Sequence, residues 1–177
     1  EPAGALMPAD VGKAAALLFV AVVLQLSIIA QVTILGGHPN LLLVTVVCIA
    51  LLRGAVFGAV AGFCAGLLAD TGVFGTLGFT ALLLTLAGYW TGRYGETTGR
   101  DRAHAPLLSI AVITFLYEIA ALVLRYMLGQ NAPGGALFEG LVPTILLNLL
   151  LTLPVYALTR RLLRPREWAP REVRLLG

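Results

Sequence analysis

Ionisable side chains in a strongly apolar sequence are the first candidates for chemistry, because a charge at membrane depth is costly unless it has a partner or a function. Glu118 and Arg125 are seven residues apart, so on a helix they would share one face about 10.5 Å apart. This spacing predicts either an ion pair that fastens helix ends or an outer polar pocket that receives a partner segment or a solute. The side chains assigned to the pocket are His38, Asp70, Glu118, Arg125 and Glu139.

Common catalytic and metal-binding motifs are absent from the sequence, which contains no G-x-S-x-G, no H-E-x-x-H and no cysteine pair at metal-ligand spacing. His38 and His104 are predicted on opposite membrane faces, so they cannot share a metal ion. Cys48 and Cys64 each lie inside an apolar run and are expected to be buried thiols. We therefore predict a protein that is not an enzyme and that holds no metal and no cofactor.

The composition places these residues in an integral membrane protein. Of 177 residues, 59% are hydrophobic and 12% are charged, against roughly a quarter charged in typical soluble chains. The mean hydropathy is +0.92. These values exclude a disordered chain, a disulfide-stapled secreted module and a conventional soluble enzyme, and they predict an all-α membrane protein.

Turn-forming and polar stretches divide the apolar sequence into six segments, each interpreted as a transmembrane helix. The main breaks are Gly36–Pro39, Asp70–Gly72 and the polar residues 91–105. One membrane domain, 1–177, is expected to contain spans at 14–35, 40–52, 54–69, 74–90, 106–128 and 137–159, followed by a basic cytoplasmic tail over 160–177.

The Lys and Arg residues orient these spans, because positive residues accumulate in cytoplasmic loops. Six spans with both termini cytoplasmic leave only Arg125, of twelve Lys and Arg residues, towards the outside. A five-span alternative fuses residues 40–69 and strands Arg53 near the bilayer centre, at a cost of at least about 2.5–3.5 kcal/mol. Six spans are preferred. The second is only about 20 Å long, so Arg53 has to reach the interface or neighbouring helices have to shield this span.

Four glycines at intervals of four residues form a small-residue stripe along the third span, and such a stripe lets another helix approach closely. Close packing within the chain is expected, and a homodimer face is the alternative. Gly62→Leu is predicted to be more harmful than Gly54→Leu, because Gly54 adjoins Arg53 at the membrane interface. The stripe consists of Gly54, Gly58, Gly62 and Gly66.

Asn148 lies in the sixth span between Pro143 and Pro154, where a buried amide needs a partner. We expect it to hydrogen-bond to a neighbouring helix and so to serve helix packing. A direct role in binding a ligand is the alternative.

The C-terminal end is basic, since six of the twelve Lys and Arg residues lie beyond residue 159. On a hydrophobic protein, such an end indicates contact with anionic lipid headgroups. No run of Lys and Arg is interleaved with aromatic residues. We therefore predict membrane lipids as partners, and no nucleic acid.

An ordered set of short motifs runs through residues 39–92. Together with Asn148, Pro154-Val155-Tyr156 and the arginines that follow, this set resembles the family of the rod shape-determining protein MreD. The motifs are Pro39-Asn40-Leu41-Leu42-Leu43, Ala50-Leu51-Leu52-Arg53-Gly54, Gly58, Gly62-Phe63, Gly66-Leu67-Leu68-Ala69-Asp70, Leu77-Gly78 and Gly88-Tyr89.

The resemblance implies a non-enzymatic, multi-pass subunit of the bacterial elongation (Rod) machinery in the cytoplasmic membrane, which supports peptidoglycan synthesis and rod shape. The implied partner is MreC, a protein with one membrane helix and a large extracytoplasmic domain. Other members of that machinery are MreB filaments, RodZ, RodA and a class B penicillin-binding transpeptidase.

The resemblance also implies the six-helix architecture of the substrate-capture subunits of energy-coupling-factor vitamin transporters. A substrate-capture subunit for a small solute is therefore the alternative function. A vitamin site needs aromatic and hydrogen-bonding side chains. The outer halves of the spans offer few of these, which favours a pocket for the apolar segment of another protein.

Overall fold

The computed structural model describes residues 8–27, 33–73, 76–98, 105–129 and 134–163. Within these residues the fold is all-α, as predicted. Its six helices are α1 (Pro8–Ser27), α2 (Leu41–Arg53), α3 (Ala55–Val73), α4 (Phe79–Thr98), α5 (Ala105–Met127) and α6 (Gly134–Leu162).

The short helix α2 forms the centre of the molecule. It contacts each of the other five helices, and every residue from Leu41 to Leu52 is buried. The surrounding helices expose large apolar side chains, among them Phe19, Val60 and Leu150, which are 59%, 58% and 67% exposed. Apolar surface of this extent is typical of a protein that contacts membrane or other proteins. Because its neighbours enclose it, α2 does not have to match the bilayer thickness.

Three helices are long and apolar enough to cross a membrane, within the part of the chain that the structure describes. These stretches are Ala55–Gly72, Pro106–Met127 and Gly140–Leu162, and shorter apolar stretches occur at Val11–Ser27 and Leu41–Arg53. The structure thus supports a helical membrane protein, and a six-span topology stays a prediction.

The first helix differs from the predicted span 14–35. α1 begins at Pro8, and its described part ends at Ser27. Ile34 and Gly37 close a tight turn by exchanging backbone hydrogen bonds of 3.1 and 2.9 Å. The two residues between them have positive φ angles of 53° and 81°, which are incompatible with a right-handed helix. Hydrophobicity alone therefore placed the end of this span too late.

The boundary between the third and fourth spans was also predicted wrongly. α3 continues through Asp70–Gly72, where a break was expected, and α4 covers Phe79–Thr98 instead of 74–90. Both shifts have one cause. A carboxylate near the end of each helix bonds to the start of the other, so these polar positions extend the helices instead of ending them.

The other helices begin and end closer to the predicted limits. α2 and α5 each lie within one residue of the predicted limits. α6 is three residues longer at both ends, so Arg160 and Arg161 are helical rather than part of the tail. His104 and residues 164–177 lie outside the described residues.

The two cysteines occupy different environments. Cys48 is buried in α2, whereas Cys64 is exposed on α3. The prediction of two buried thiols is therefore wrong for Cys64. Its neighbour Phe63 is 50% exposed, so an apolar run in a membrane protein does not by itself indicate burial within the protein.

Candidate partner-binding site

The antiparallel path of the helices gives the molecule two ends with different charges. One end, which we name the Arg125 end, contains Arg125 near the C-terminus of α5 together with the starts of α2 and α4. Here the Arg125 guanidinium lies 5.9 Å from the centre of the Phe79 ring. The opposite end, the Arg160 end, carries the basic residues Arg53 in the last turn of α2, Arg93 in the second half of α4, and Arg160 and Arg161 in the last turn of α6.

The irregular segment before α2 is held on one side by α1. The side chain of Gln25 accepts a hydrogen bond from the Leu41 amide at 2.8 Å. Its amide nitrogen also donates to the Pro39 carbonyl at 3.3 Å. One glutamine thus satisfies backbone groups on both sides of the start of α2, where a helix has unpaired N–H groups.

The other side of this segment is held by α6. The backbone N–H of Asn40 donates to Oδ1 of Asn148 at 2.8 Å. The backbone N–H of His38 donates to the Thr144 hydroxyl at 3.1 Å. Asn148 is fully buried and also donates to the Thr114 hydroxyl of α5 at 3.2 Å. Both ends of the Asn148 amide are thus occupied by neighbouring elements, as a buried polar group requires.

Glycines allow the turn and α6 to approach at backbone distance. A Cβ at Gly37 would lie 2.6 Å from the Thr144 nitrogen and 2.7 Å from Cβ of Pro143. A Cβ at Gly140 would collide with the carbonyl oxygen of Gly36. Any larger residue at these sites would separate the turn from α6.

Asp70 is directed at the start of α4. Its carboxylate accepts hydrogen bonds from the backbone amides of Gly78, Thr80 and Ala81, at 2.9, 3.1 and 3.2 Å. The side chain is buried, with 6% of its surface exposed. Negative charge is favourable at a helix N-terminus, so Asp70 caps α4 from the neighbouring helix.

Glu96 makes the reciprocal contact at the Arg160 end. Its Oε1 accepts a hydrogen bond of 2.8 Å from the amide of Ala55, the first residue of α3. Its other oxygen lies 3.7 Å from the Arg93 guanidinium. The preceding Gly54 has a φ of +97°, and a Cβ there would lie 2.5 Å from Oε1 of Glu96. α3 and α4 therefore cap each other at both ends.

The glycine stripe lies between these two caps and faces α4. A Cβ at Gly58 would lie 2.6 Å from the carbonyl oxygen of Gly88. A Cβ at Gly62 would collide with the Leu84 carbonyl, and one at Gly66 with the Ala81 backbone. The close approach along this stripe is thus made within the chain.

A group of polar residues on α5 faces the irregular segment. Glu118 is half-buried and within electrostatic range of both Arg125 and His38. The adjacent Tyr117 side chain interacts with Asn40 and lies within electrostatic range of Asp70. The structure thus brings His38, Asp70, Glu118 and Arg125 to one end of the molecule. Glu139 lies in α6, and its side chain is not among those described.

The charges in this group differ in how far they are engaged. Both carboxylate oxygens of Asp70 accept hydrogen bonds from the start of α4. Arg125 is exposed, and among the described side chains no ion pair joins it to a carboxylate. His38 is exposed as well, with Nδ1 3.4 Å from the Thr33 hydroxyl. Glu118, His38 and Arg125 therefore remain accessible to a second molecule. We name these three residues the α5 polar group, although His38 itself lies in the segment before α2.

Comparison with known proteins decides the family. The family model for the rod shape-determining protein MreD matches residues 13–166. The chain belongs to the MreD family. Cell shape-determining protein MreD of Streptococcus pneumoniae is 32% identical over 90 residues, which are 50% of this chain and 54% of that relative. No solved structure matches the chain, so the likeness to vitamin-capture subunits stays a prediction.

MreD-family membership and the long apolar helices together make the chain a membrane protein of the shape-determining class. The caps and the buried hydrogen bonds lie almost entirely within the region that matches MreD. In this MreD-family chain, several polar residues hold the backbone ends of other elements, namely Gln25, Asp70, Glu96, Thr144 and Asn148. The α5 polar group differs because, within the described residues, its side chains do not bond to the backbone end of another element.

The structural roles of several residues in this MreD-family chain were missed by the sequence reasoning. Gln25 has a signal, because it is a strongly polar residue inside an uncharged run. Gly88 and Gly92 form a second G-x-x-x-G pattern, which pairs with the stripe on α3. Glu96 has no such signal, because its sequence context is a polar stretch that reads as a loop.

Proposed function

We propose that this MreD-family chain is a non-enzymatic subunit of the bacterial cell-elongation complex and that it binds an MreC-type single-span partner. In this proposal all six helices contribute to a multi-pass domain in the cytoplasmic membrane, with both termini inside and the Arg125 end outside. The partner's juxtamembrane segment contacts the α5 polar group. Through this contact the chain supports peptidoglycan synthesis and rod shape.

The accessibility of the α5 polar group is the observation that carries the proposal. Arg125 and Glu118 share one side of α5. Large apolar side chains border this side, namely Phe115, one turn before Glu118, and Tyr126, which are 42% and 61% exposed. Charges next to exposed apolar and aromatic surface are typical of sites that bind protein segments. A juxtamembrane segment offers both matching features, an apolar helix end and polar flanking residues.

Two residues that were predicted to line the pocket, Asp70 and Glu139, are not used to test the partner contact. Asp70 is occupied by three amides of α4, so replacing it would alter the α3–α4 pair rather than the partner contact. Glu139 was predicted to line the same pocket, and that role stays a prediction. Glu118 and Arg125 are therefore the positions for a test.

Copurification from membranes tests the proposal. The chain is coexpressed with an MreC-type protein, and Glu118→Ala and Arg125→Ala are compared with the matched control Arg93→Ala. Arg93 is 59% exposed and lies at the Arg160 end. Loss of a desolvated charge contact costs roughly 2–5 kcal/mol of binding, whereas a rim charge costs little. The two α5 variants should retain at least about tenfold less partner, and cells carrying them should lose rod shape.

Two results would contradict this function. One is that both α5 variants insert stably, hold the partner at wild-type levels and support elongation. The other is that the wild-type chain copurifies with an ATPase-containing transporter module and with no MreC-type protein, which would indicate the solute-capture role.

A further inference from the structure

A cavity of about 500 Å³ lies between α5 and α6 at the Arg160 end. Its volume is within the usual range of small-molecule sites, about 300–1,000 Å³. The α5 wall consists of Pro106 and Leu107. The α6 wall consists of Thr152, Leu153, Tyr156, Ala157, Arg160 and Arg161.

The α6 wall is one continuous side of the helix, because its residues recur as adjacent pairs every four positions. Polarity changes along this side. Thr152 is buried, and its hydroxyl donates to the Asn148 carbonyl at 2.6 Å, so it offers no free proton to a ligand. Two turns further on, Arg160 and Arg161 are exposed. The cavity is therefore apolar at its deep end and cationic at its mouth.

The length of α6 places this mouth at the level of lipid headgroups. The helix has 29 residues, which is about 43 Å, against a hydrocarbon core of about 30 Å. The helix is thus longer than the core, and we assign part of the excess to its last turn because both arginines lie there. Tyr156 lies one turn before them, and tyrosines are enriched at this interfacial depth.

The two arginines at the mouth present guanidinium groups that can bind an anion. Within the described part of the chain, neither guanidinium forms an ion pair with a carboxylate. Guanidinium groups match phosphate oxygens with paired hydrogen bonds. A small soluble anion would use only the mouth, whereas the aliphatic wall of Leu107 and Leu153 fits an acyl chain.

We propose that the cavity between α5 and α6 binds an anionic phospholipid of the phosphatidylglycerol type. The headgroup phosphate lies at Arg160 and Arg161, Tyr156 lies beside the glycerol region, and one acyl chain follows Leu107 and Leu153. Basic pockets between membrane helices bind anionic lipids by this combination of charge and apolar contact. The site shares no residue with the α5 polar group, so it is independent of the proposed partner contact.

Native mass spectrometry of the detergent-purified chain tests the proposal. The chain is titrated with dioleoyl-phosphatidylglycerol and dioleoyl-phosphatidylcholine at equal concentrations, and lipid adducts are counted. The double variant Arg160→Gln/Arg161→Gln is compared with Arg171→Gln/Arg174→Gln, which removes the same charge from the basic C-terminal end and keeps every described residue that lines the cavity. A third variant, Ala157→Phe, fills the cavity and keeps every charge.

The wild-type chain should prefer phosphatidylglycerol. The Arg160/Arg161 variant should bind it at least about tenfold more weakly, since each basic residue contributes about one factor of five at an anionic lipid surface. Ala157→Phe should weaken it as well, and the Arg171/Arg174 variant should stay near wild type.

Three results would overturn the site. Equal loss in the Arg160/Arg161 and Arg171/Arg174 variants would indicate diffuse attraction by the basic end. Equal binding of phosphatidylcholine would exclude recognition of the charge. Displacement of the lipid by millimolar inorganic phosphate, with Ala157→Phe unaffected, would indicate a simple phosphate site. Because Ala157→Phe retains both arginines, misfolding of the double variant would leave the proposal testable.

Discussion

A few polar residues in this apolar chain satisfy backbone groups of other elements. Asn148 and Gln25 bond to the start of α2, and Asp70 bonds to the start of α4. Lipid offers no hydrogen bonds to an exposed amide, so each such group must find its partner inside the protein. The cost of burying one polar side chain is offset because it satisfies one to three amides that would otherwise be unpaired.

Asn148→Leu should destabilise the protein by about 1–3 kcal/mol, because the Asn40 amide and the Thr114 hydroxyl both lose a partner. The measurement is the thermal unfolding midpoint of the purified chain in detergent. Leu146→Ala is the control on the same helix, since that side chain is 60% exposed and should change stability little. If Asn148→Leu unfolds at the wild-type temperature, these hydrogen bonds do not stabilise the fold.

Pairs of elements depend on close backbone contact. α3 and α4 combine a line of glycines with a carboxylate cap at either end, and each feature fixes the register that the other needs. The segment before α2 follows the same logic, since Gly37 and Gly140 bring it against α6 while Asn148 and Thr144 bond to it. Small residues set the distance, and polar residues set the alignment.

Gly62→Leu should lower membrane accumulation of the folded chain, because its side chain would occupy the space of the Leu84 carbonyl. Overpacking costs typically about 1–3 kcal/mol, and more where backbone must move. Val60→Leu is the control, because position 60 is exposed on the same helix. Accumulation of Gly62→Leu equal to that of Val60→Leu, measured by fluorescence-detected size exclusion, would refute close packing there.

Gly54→Leu illustrates how the structure changes a ranking made from sequence. Its position beside Arg53 suggested a mild effect. The structure gives Gly54 a φ of +97°, which strains any residue with a side chain, and places it against Glu96. Substitution at this site therefore affects both the α2–α3 connection and the cap of α3.

The whole molecule has a strong charge asymmetry along the helix axes. The described arginines lie at the Arg160 end, with Arg125 as the exception. The central α2 is short, and the backbone just before it bonds to Gln25 of α1 and to Thr144 and Asn148 of α6. Non-helical backbone is tolerated at membrane depth where protein covers it. This arrangement is compatible with six crossings even though α2 spans less than the bilayer.

Reporter fusions to either terminus should therefore report the cytoplasm, and a fusion within the loop after Leu128 should report the opposite side. The physical reason is that the Lys and Arg residues other than Arg125 then lie inside. Each position is fused in turn to a reporter that is active only in the cytoplasm and to one that is active only outside it, so every location is determined by two opposite signals. Opposite locations for the two termini would require an odd number of crossings and would refute the six-span topology.

The accuracy of the sequence reasoning varied with the kind of boundary. α5 was located within one residue because Pro106 and the loop near Gly129 bound a long apolar run whose only charged residues are Glu118 and Arg125. α1 was extended too far because Ile34 and Leu35 are apolar but lie in a turn. α4 was ended too early because its polar end is stabilised by α3, and a local pattern contains no information about that contact.

The amino-acid sequence was sufficient for the membrane class, the family and the number of helices in the described residues. These properties follow from hydrophobicity, charge and the order of short motifs, all of which are local. The roles of the polar residues depended on the tertiary structure. Asp70 and Arg125 look alike in sequence, as isolated charges near helix ends. Only the tertiary structure shows that Asp70 caps α4 whereas Arg125 stays accessible. The reason is that hydrogen-bond partners come from residues that are distant along the chain.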